Sequence, residues 1–154
     1  RQIFTEYEFH VYAPHKYNSK FAHIKFNTPS RQKFQDDVRN CVGVICNAGF
    51  ELASEALHMG KKLLVKPVHA QMEQLANAKA LSELNYGSVM HDVNYNSIDE
   101  WLYNNSVVYV AYPNVAEKIV KWIQDGMPEM NKSFIDAIWN EVKIVRSSGE
   151  LLKY

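Results

Sequence analysis

The chain has 154 residues, and its 17 Lys plus Arg are balanced by 17 Asp plus Glu. This neutral balance excludes the basic field that nucleic-acid binding draws on, and there is no acidic tail. A hydrophobic fraction of 47% with 22% charge suits one folded domain with a sizeable core. No apolar run approaches the roughly 20 residues that span a bilayer.

Cys41 and Cys46 bracket one predicted strand, which would hold them roughly 16 Å apart, too far for a disulfide. Reduced core thiols suit a reducing compartment, so a cytoplasmic protein is expected. The sequence starts without Met and almost directly in a strand. The strand and Gly-rich turn that usually open a doubly wound domain are absent. Residues 1–154 are therefore expected to form one domain within a longer protein.

Residues 1–6 suit a helix tail or a frayed start. Tyr7–Ala13 alternates and is rich in aromatic and β-branched residues, which predicts a strand ended by Pro14. HKYNSK is a loop, and Ala22–Phe26 is a second strand with Ala22, Ile24 and Phe26 on one face. The short link would allow a hairpin. Ser30 is placed to cap a helix over Arg31–Arg39.

Val42–Cys46 is a continuous apolar run, as in a strand buried on both faces. Phe50–Met59 reads as a helix ended by Gly60, and Leu63–Val65 as the next buried strand, giving a right-handed βαβ unit. Met72–Leu84 is a helix stopped near Gly87, and Ser88–Met90 suits a short edge strand. Ser97 is expected to cap a helix through Asn104, with Asp99 and Glu100 in its first turn. Val107–Ala111 suits a strand or extended loop. Asn114 caps a helix to about Gln124, broken by Gly126 and Pro128. Ser133–Val145 repeats apolar residues at helical spacing and predicts a last amphipathic helix, with Trp139 packed inward. The tail SSGELLKY is expected to fray.

Residues 42–78 set two groups of ligand-type side chains just past two strand ends, where open α/β sheets bind ligands. In the first, Gly49 permits a sharp turn and close approach of a ligand to the backbone. The helix start at Phe50 offers unpaired N–H groups to a phosphate. Glu51, Ser54, Glu55 and His58 share one helix face, and a carboxylate there can accept from both hydroxyls of a ribose. The same face also suits the solvated side of an amphipathic helix. In the second group, Glu73, Gln74 and Asn77 offer acceptors and donors that read sugar hydroxyls, or an acid favourable to its helix dipole. His69 suits a supporting loop role, and Lys66 could neutralise phosphate or be plain surface. No metal-binding motif, nucleophile elbow or Walker loop occurs.

Together, CNAGFELASEA and EQLANA resemble the donor-binding half of GT-B-fold glycosyltransferases. The nearest likeness is to peptidoglycan N-acetylglucosaminyl transferase-like and UDP-glucuronosyltransferase-like bacterial proteins. Asn47, Gly49 and Glu55 keep that family's spacing after the first strand, Ser54 precedes the Glu, and GKKLLVKP resembles the link between the motifs. The likeness covers about residues 7–125. The departures are Asn47, where the family often has His or Arg, Leu52, where a Thr is common, and Lys62, where a Pro stands.

The resemblance implies an α/β, Rossmann-like parallel sheet with flanking helices. Glu55 would bind the ribose hydroxyls of a UDP-sugar, and Gly49, Phe50 and Ser54 would lie against the diphosphate. Glu73 and Gln74 would bind the donor sugar, and Asn77 would brace their loop. Asn47 would belong to the same donor-binding group, and the loop Asn27–Ser30 is placed to hold the uracil. No metal or other cofactor is expected. The catalytic base would come from an N-terminal acceptor domain of the same enzyme, so this chain would be inactive alone. The parent enzyme would transfer a hexose, N-acetylhexosamine or uronic acid from the UDP-sugar to an acceptor hydroxyl, with peripheral membrane association open to it. Two alternatives are a UDP-sugar 2-epimerase-like enzyme and a non-catalytic donor-binding subunit of a two-chain transferase.

Overall fold

The computed structural model describes residues 3–15, 17–149 and 151–152. Arg1, Gln2, Lys16 in the first loop, and Glu150, Lys153 and Tyr154 in the tail lie outside the described residues. After a 3-10 turn over Ile3–Glu6, β1 (Phe9–Tyr12) pairs with β2 (Ile24–Asn27). The pairing is parallel, Phe9 opposite Ile24 and Tyr12 opposite Asn27, so no hairpin forms. The link over residues 13–23 is long enough to retrace a strand of 4 residues.

From the end of β2, α1 (Arg31–Asn40) begins where Ser30 Oγ accepts from the Lys33 N–H. The helix returns the chain to the start of β3 (Gly43–Asn47). β3, α2 (Phe50–His58) and β4 (Lys62–Lys66) form the expected βαβ unit, with Val44 opposite Leu63 and Asn47 opposite Lys66. Gly60 follows the end of α2 at φ 61°, a left-handed turn that a side chain would strain. After α3 (Met72–Glu83), the short strand β5 (Ser88–Val89) joins the outer edge of β4 in parallel. α4 (Tyr95–Tyr103) then covers the far face of this sheet.

The chain ends in a second kind of sheet. β6 (Val108–Ala111), β7 (Lys143–Arg146) and β8 (Leu151–Leu152) pair antiparallel, with α5 (Val115–Gln124) and α6 (Lys132–Trp139) between β6 and β7. Alternation along β4 divides the core. Leu63 and Val65 join Val38, Ala53, Ala56, Leu57, Val108 and Ile144 on one side. Leu64 joins Met90, Trp101 and Leu102 on the other, with Tyr7 and Phe9 packed against them. Burying each Leu or Val side chain contributes about 1.5–3 kcal/mol. Two neighbouring lysines use the same alternation. Lys61 Nζ donates to the Arg39 and Cys41 carbonyls at the end of α1, and Lys62 Nζ to the Leu102 carbonyl of α4.

Five sequence expectations are corrected. The tail, expected to fray, pairs at Leu151–Leu152 as β8. The last helix does not run to Val145: α6 stops at Trp139, and Val142 and Val145 belong to the turn and strand that pair with β6. The apolar spacing there satisfies both periods, and pairing with β6 decides it. Trp139 is 54% exposed rather than packed inward. The cap of α4 is Asn94, which accepts from the Ser97 N–H, so Asp99 and Glu100 fall in the middle of the helix. β3 is buried on one face only, since Ile45 is 36% exposed on the other.

Candidate functional site

The two ligand-type groups lie at the carboxyl ends of adjacent parallel strands, β3 and β4. One hydrogen bond joins them: Asn77 Nδ2 of α3 donates to the Ala48 carbonyl in the β3–α2 turn, at 3.0 Å. Ala48 is fully buried, so this acceptor has no water to replace its partner. The sequence reading has Asn77 brace its own loop; its recorded bond instead braces the turn of the other group.

The starts of α2 and α3 differ from those of the other helices. Ser30, Asn94, Asn114 and Asn131 cap α1, α4, α5 and α6 by accepting from a backbone N–H. At α2 the cap position is Gly49 and at α3 it is Gln71, and neither makes a side-chain cap bond. The first-turn N–H groups of both helices thus keep their capacity for an external acceptor. A Cβ built on Gly49 meets nothing within 4 Å, so the space before α2 is open.

The loop entering α3 is held by Gln74, whose Oε1 accepts from the Val68 N–H at 3.0 Å. Within it Ala70 adopts φ 61°, a left-handed conformation unfavourable for a residue with a Cβ. Glu73 is exposed in the first turn of α3, and Asn47 is exposed at the end of β3 beside the half-buried Lys66. Phe50 and Met72, first residues of the two helices, are 64% and 77% exposed. The Ser54 hydroxyl donates to the Glu51 carbonyl one turn back.

Glu55 is exposed and borders a cleft of about 240 Å³ between α1 and α2, together with Gln35, Arg39 and His58. His58 is a support: Nδ1 lies 2.9 Å from the Val110 carbonyl, and the ring stacks on Tyr109. His69 is exposed in its loop. Burial raises both thiols, Cys46 to about 11, so both are protonated at neutral pH. Among the described residues, no three His, Cys, Asp or Glu side chains gather as they would around a metal ion. None of the described helices is long and apolar enough to cross a membrane.

One polar cluster escaped the sequence reading. Glu8, just before β1, alternates with His10 and Tyr12 on it, and Asp37 of α1 meets the last two. His10 Nδ1 lies 2.5 Å from Asp37 Oδ2, and its Nε2 lies 2.5 Å from Glu8 Oε1. The Tyr12 hydroxyl donates to Asp37 Oδ2 at 2.5 Å. The signal was present as a polar face of period two within an otherwise apolar strand.

No curated protein and no solved structure matches this chain. The family model described as glycosyl transferase family 1 matches residues 3–105, a span that begins before β1 and takes in the βαβ unit, both uncapped helix starts and all of α4. With its parallel strands, flanking helices and ligand-type residues at the strand ends, the chain belongs to glycosyl transferase family 1.

Proposed function

We propose that this chain is the donor-binding domain of a glycosyltransferase that takes a UDP-sugar and delivers its sugar to an acceptor hydroxyl. The observation that carries the reading is the Asn77–Ala48 bond, which fixes two uncapped helix starts side by side at the carboxyl ends of β3 and β4. Two aligned helix dipoles and their N–H groups suit a diphosphate, whose negative charge grows as the sugar leaves. Lys66, opposite Asn47 in the strand register, supplies the nearby cation.

Glu55 accepts from the ribose hydroxyls, Gly49, Phe50 and Ser54 border the diphosphate, and Glu73 and Gln74 face the sugar. Asn47 borders the same edge, and Asn27, whose Nδ2 has no partner, stands at the end of β2 where the uracil would lie. The catalytic base belongs to an acceptor domain, and closure of the cleft between the two completes the site. This assignment of roles rests on the resemblance of CNAGFELASEA and EQLANA to nucleotide-sugar transferases.

Calorimetric and thermal-shift titration with UDP, against ADP and GDP, tests the reading. UDP should raise Tm selectively, because a ligand that binds only the folded state stabilises it by mass action. The rise should disappear in Glu55→Ala. The same titration on the parent polypeptide decides the matter, and absence of UDP selectivity there rejects the donor assignment.

A further inference from the structure

α5 and α6 stand between β6 and β7 as an antiparallel pair, and neither contains a buried residue. Lys118 Nζ of α5 lies 2.5 Å from Glu141 Oε1, just past the end of α6. Trp122, Phe134 and Ile138 line one cleft of about 280 Å³ between the helices. The Trp122 indole N–H donates to the Pro128 carbonyl of the link at 2.7 Å. Lys118 and Trp122 on α5 and Phe134 and Ile138 on α6 are half-buried, and every other residue of the two helices is exposed. These two rows, each spaced by four residues, therefore face one another.

That choice of inward row turns the apolar side of α5 outward. One residue further along a helix, a row is rotated by about 100°. Ile119 and Ile123 follow Lys118 and Trp122 in this way, and Ile135 and Trp139 follow Phe134 and Ile138. Because the helices are antiparallel, the same rotation carries both rows to the same side of the pair. With Val115 and Val120 they form one uncharged face whose members are 43–54% exposed. Met127 and Met130 adjoin it in the link, at 59% and 49%. Apolar side chains of this size at about half exposure present roughly 800 Å², more than the largest patch of an ordinary monomer. It is also the share that one partner brings to an interface of standard size.

We infer that this face is a self-association surface, on which the α5–α6 pairs of two copies pack about a two-fold axis into a four-helix bundle. An antiparallel helix pair with one bare apolar face is half of such a bundle. A two-fold axis makes one patch its own complement, and the patch is large enough to supply both halves of a stable interface. Charge argues against a lipid surface as the occupant. Residues 115–139 carry Lys118, Lys121 and Lys132 against Glu117, Asp125, Glu129 and Asp136, an acidic excess. Helices that lie in a membrane surface instead have a basic polar face. The surface lies outside residues 3–105, which the family model matches, and the inference stands apart from the identity of the donor.

Sedimentation equilibrium on the parent polypeptide tests it. The parent polypeptide should be a dimer. Ile123→Lys and Trp139→Lys, both at exposed positions, should each weaken self-association at least a hundredfold while the far-UV circular dichroism stays unchanged. Lys121→Ala, on the opposite side of the helix pair, should leave the dimer intact. Interfaces of this area bind at micromolar concentration or tighter, so a parent polypeptide that stays monomeric at about 100 μM would overturn the inference. So would a dimer that survives both lysine variants, or a loss in Lys121→Ala as large as theirs. A monomer that co-sediments with phosphatidylcholine–phosphatidylserine vesicles would overturn it too, in favour of a membrane surface.

Discussion

Asn77 on α3 holds the carbonyl of Ala48, 29 positions earlier in the chain, and so ties the second helix start to the first. Removing the amide leaves a fully buried acceptor unpaired, which costs about 1–3 kcal/mol. Asn77→Ala and Asn77→Asp should therefore destabilise alike in urea melts, because a carboxylate cannot donate to a carbonyl. Both should also weaken UDP binding, since the two helix starts lose their common anchor. Full stability of Asn77→Asp would show that the bond is dispensable.

Gly43 and Gly49 separate packing from binding. Alanine at Gly43 places a methyl 2.6 Å from Trp101 Cζ2 and 2.8 Å from Cη2, and overpacking of this kind costs about 1–3 kcal/mol. Gly49 sits at φ −69° with open space around it, so Gly49→Ala should leave Tm unchanged or slightly raised. Its effect should appear in UDP affinity alone, where the added methyl meets the diphosphate. A Tm loss in Gly49→Ala equal to that of Gly43→Ala would contradict this.

Lys61 and Lys62 anchor helices on opposite faces of one sheet. Lys61→Met should free the Arg39 and Cys41 carbonyls at the end of α1, and Lys62→Met the Leu102 carbonyl of α4. Each change should cost about 1.5–3 kcal/mol, the range for hydrogen bonds to a charged group. The two losses should add, because they involve separate helices. A double-mutant cycle in urea checks both claims.

His10 gives the fold a pH dependence of defined sign. Hydrogen bonds to Asp37 and then Glu8 raise its pKa above the usual 6.5. Its contribution to stability is complete below the unfolded value and is lost as pH rises through the folded one. Asp37 behaves oppositely: hydrogen bonds from Tyr12 and then His10 lower its pKa, so its contribution is present above the ordinary carboxylate value and fades in strong acid. Burial, with the bond to Asp37, pushes Tyr12 up to about 12, so its hydroxyl remains a donor throughout. Tm should fall by a few degrees as pH rises from below 6.5 through the raised folded value of His10, and His10→Gln should flatten that slope. An unchanged slope in the variant would assign the dependence to another group.

The sequence alone determined the local elements that short-range chemistry controls. Ser30 and Asn114 cap helices where their positions indicate, and the apolar run before Asn47 becomes a strand. Leu63–Val65 lies inside the buried strand β4, because consecutive apolar residues can be satisfied only between two layers. The two ligand-type groups were legible for the same reason: turn residues and polar side chains directly follow recognisable strands.

Only the tertiary structure decided what depends on distant partners. The direction of β2 is set by its pairing with β1 across the link of residues 13–23, and the identity of residues 143–146 as strand is set by pairing with β6. Nothing near Asn77 in the sequence identifies Ala48 as its partner, and nothing near Trp101 places it beneath Gly43. Helix caps and strand runs are written within a few residues of chain. Sheet order, the joining of the two helix starts and the choice of which rows of α5 and α6 face outward arise from contacts across the fold, which local periodicity does not encode.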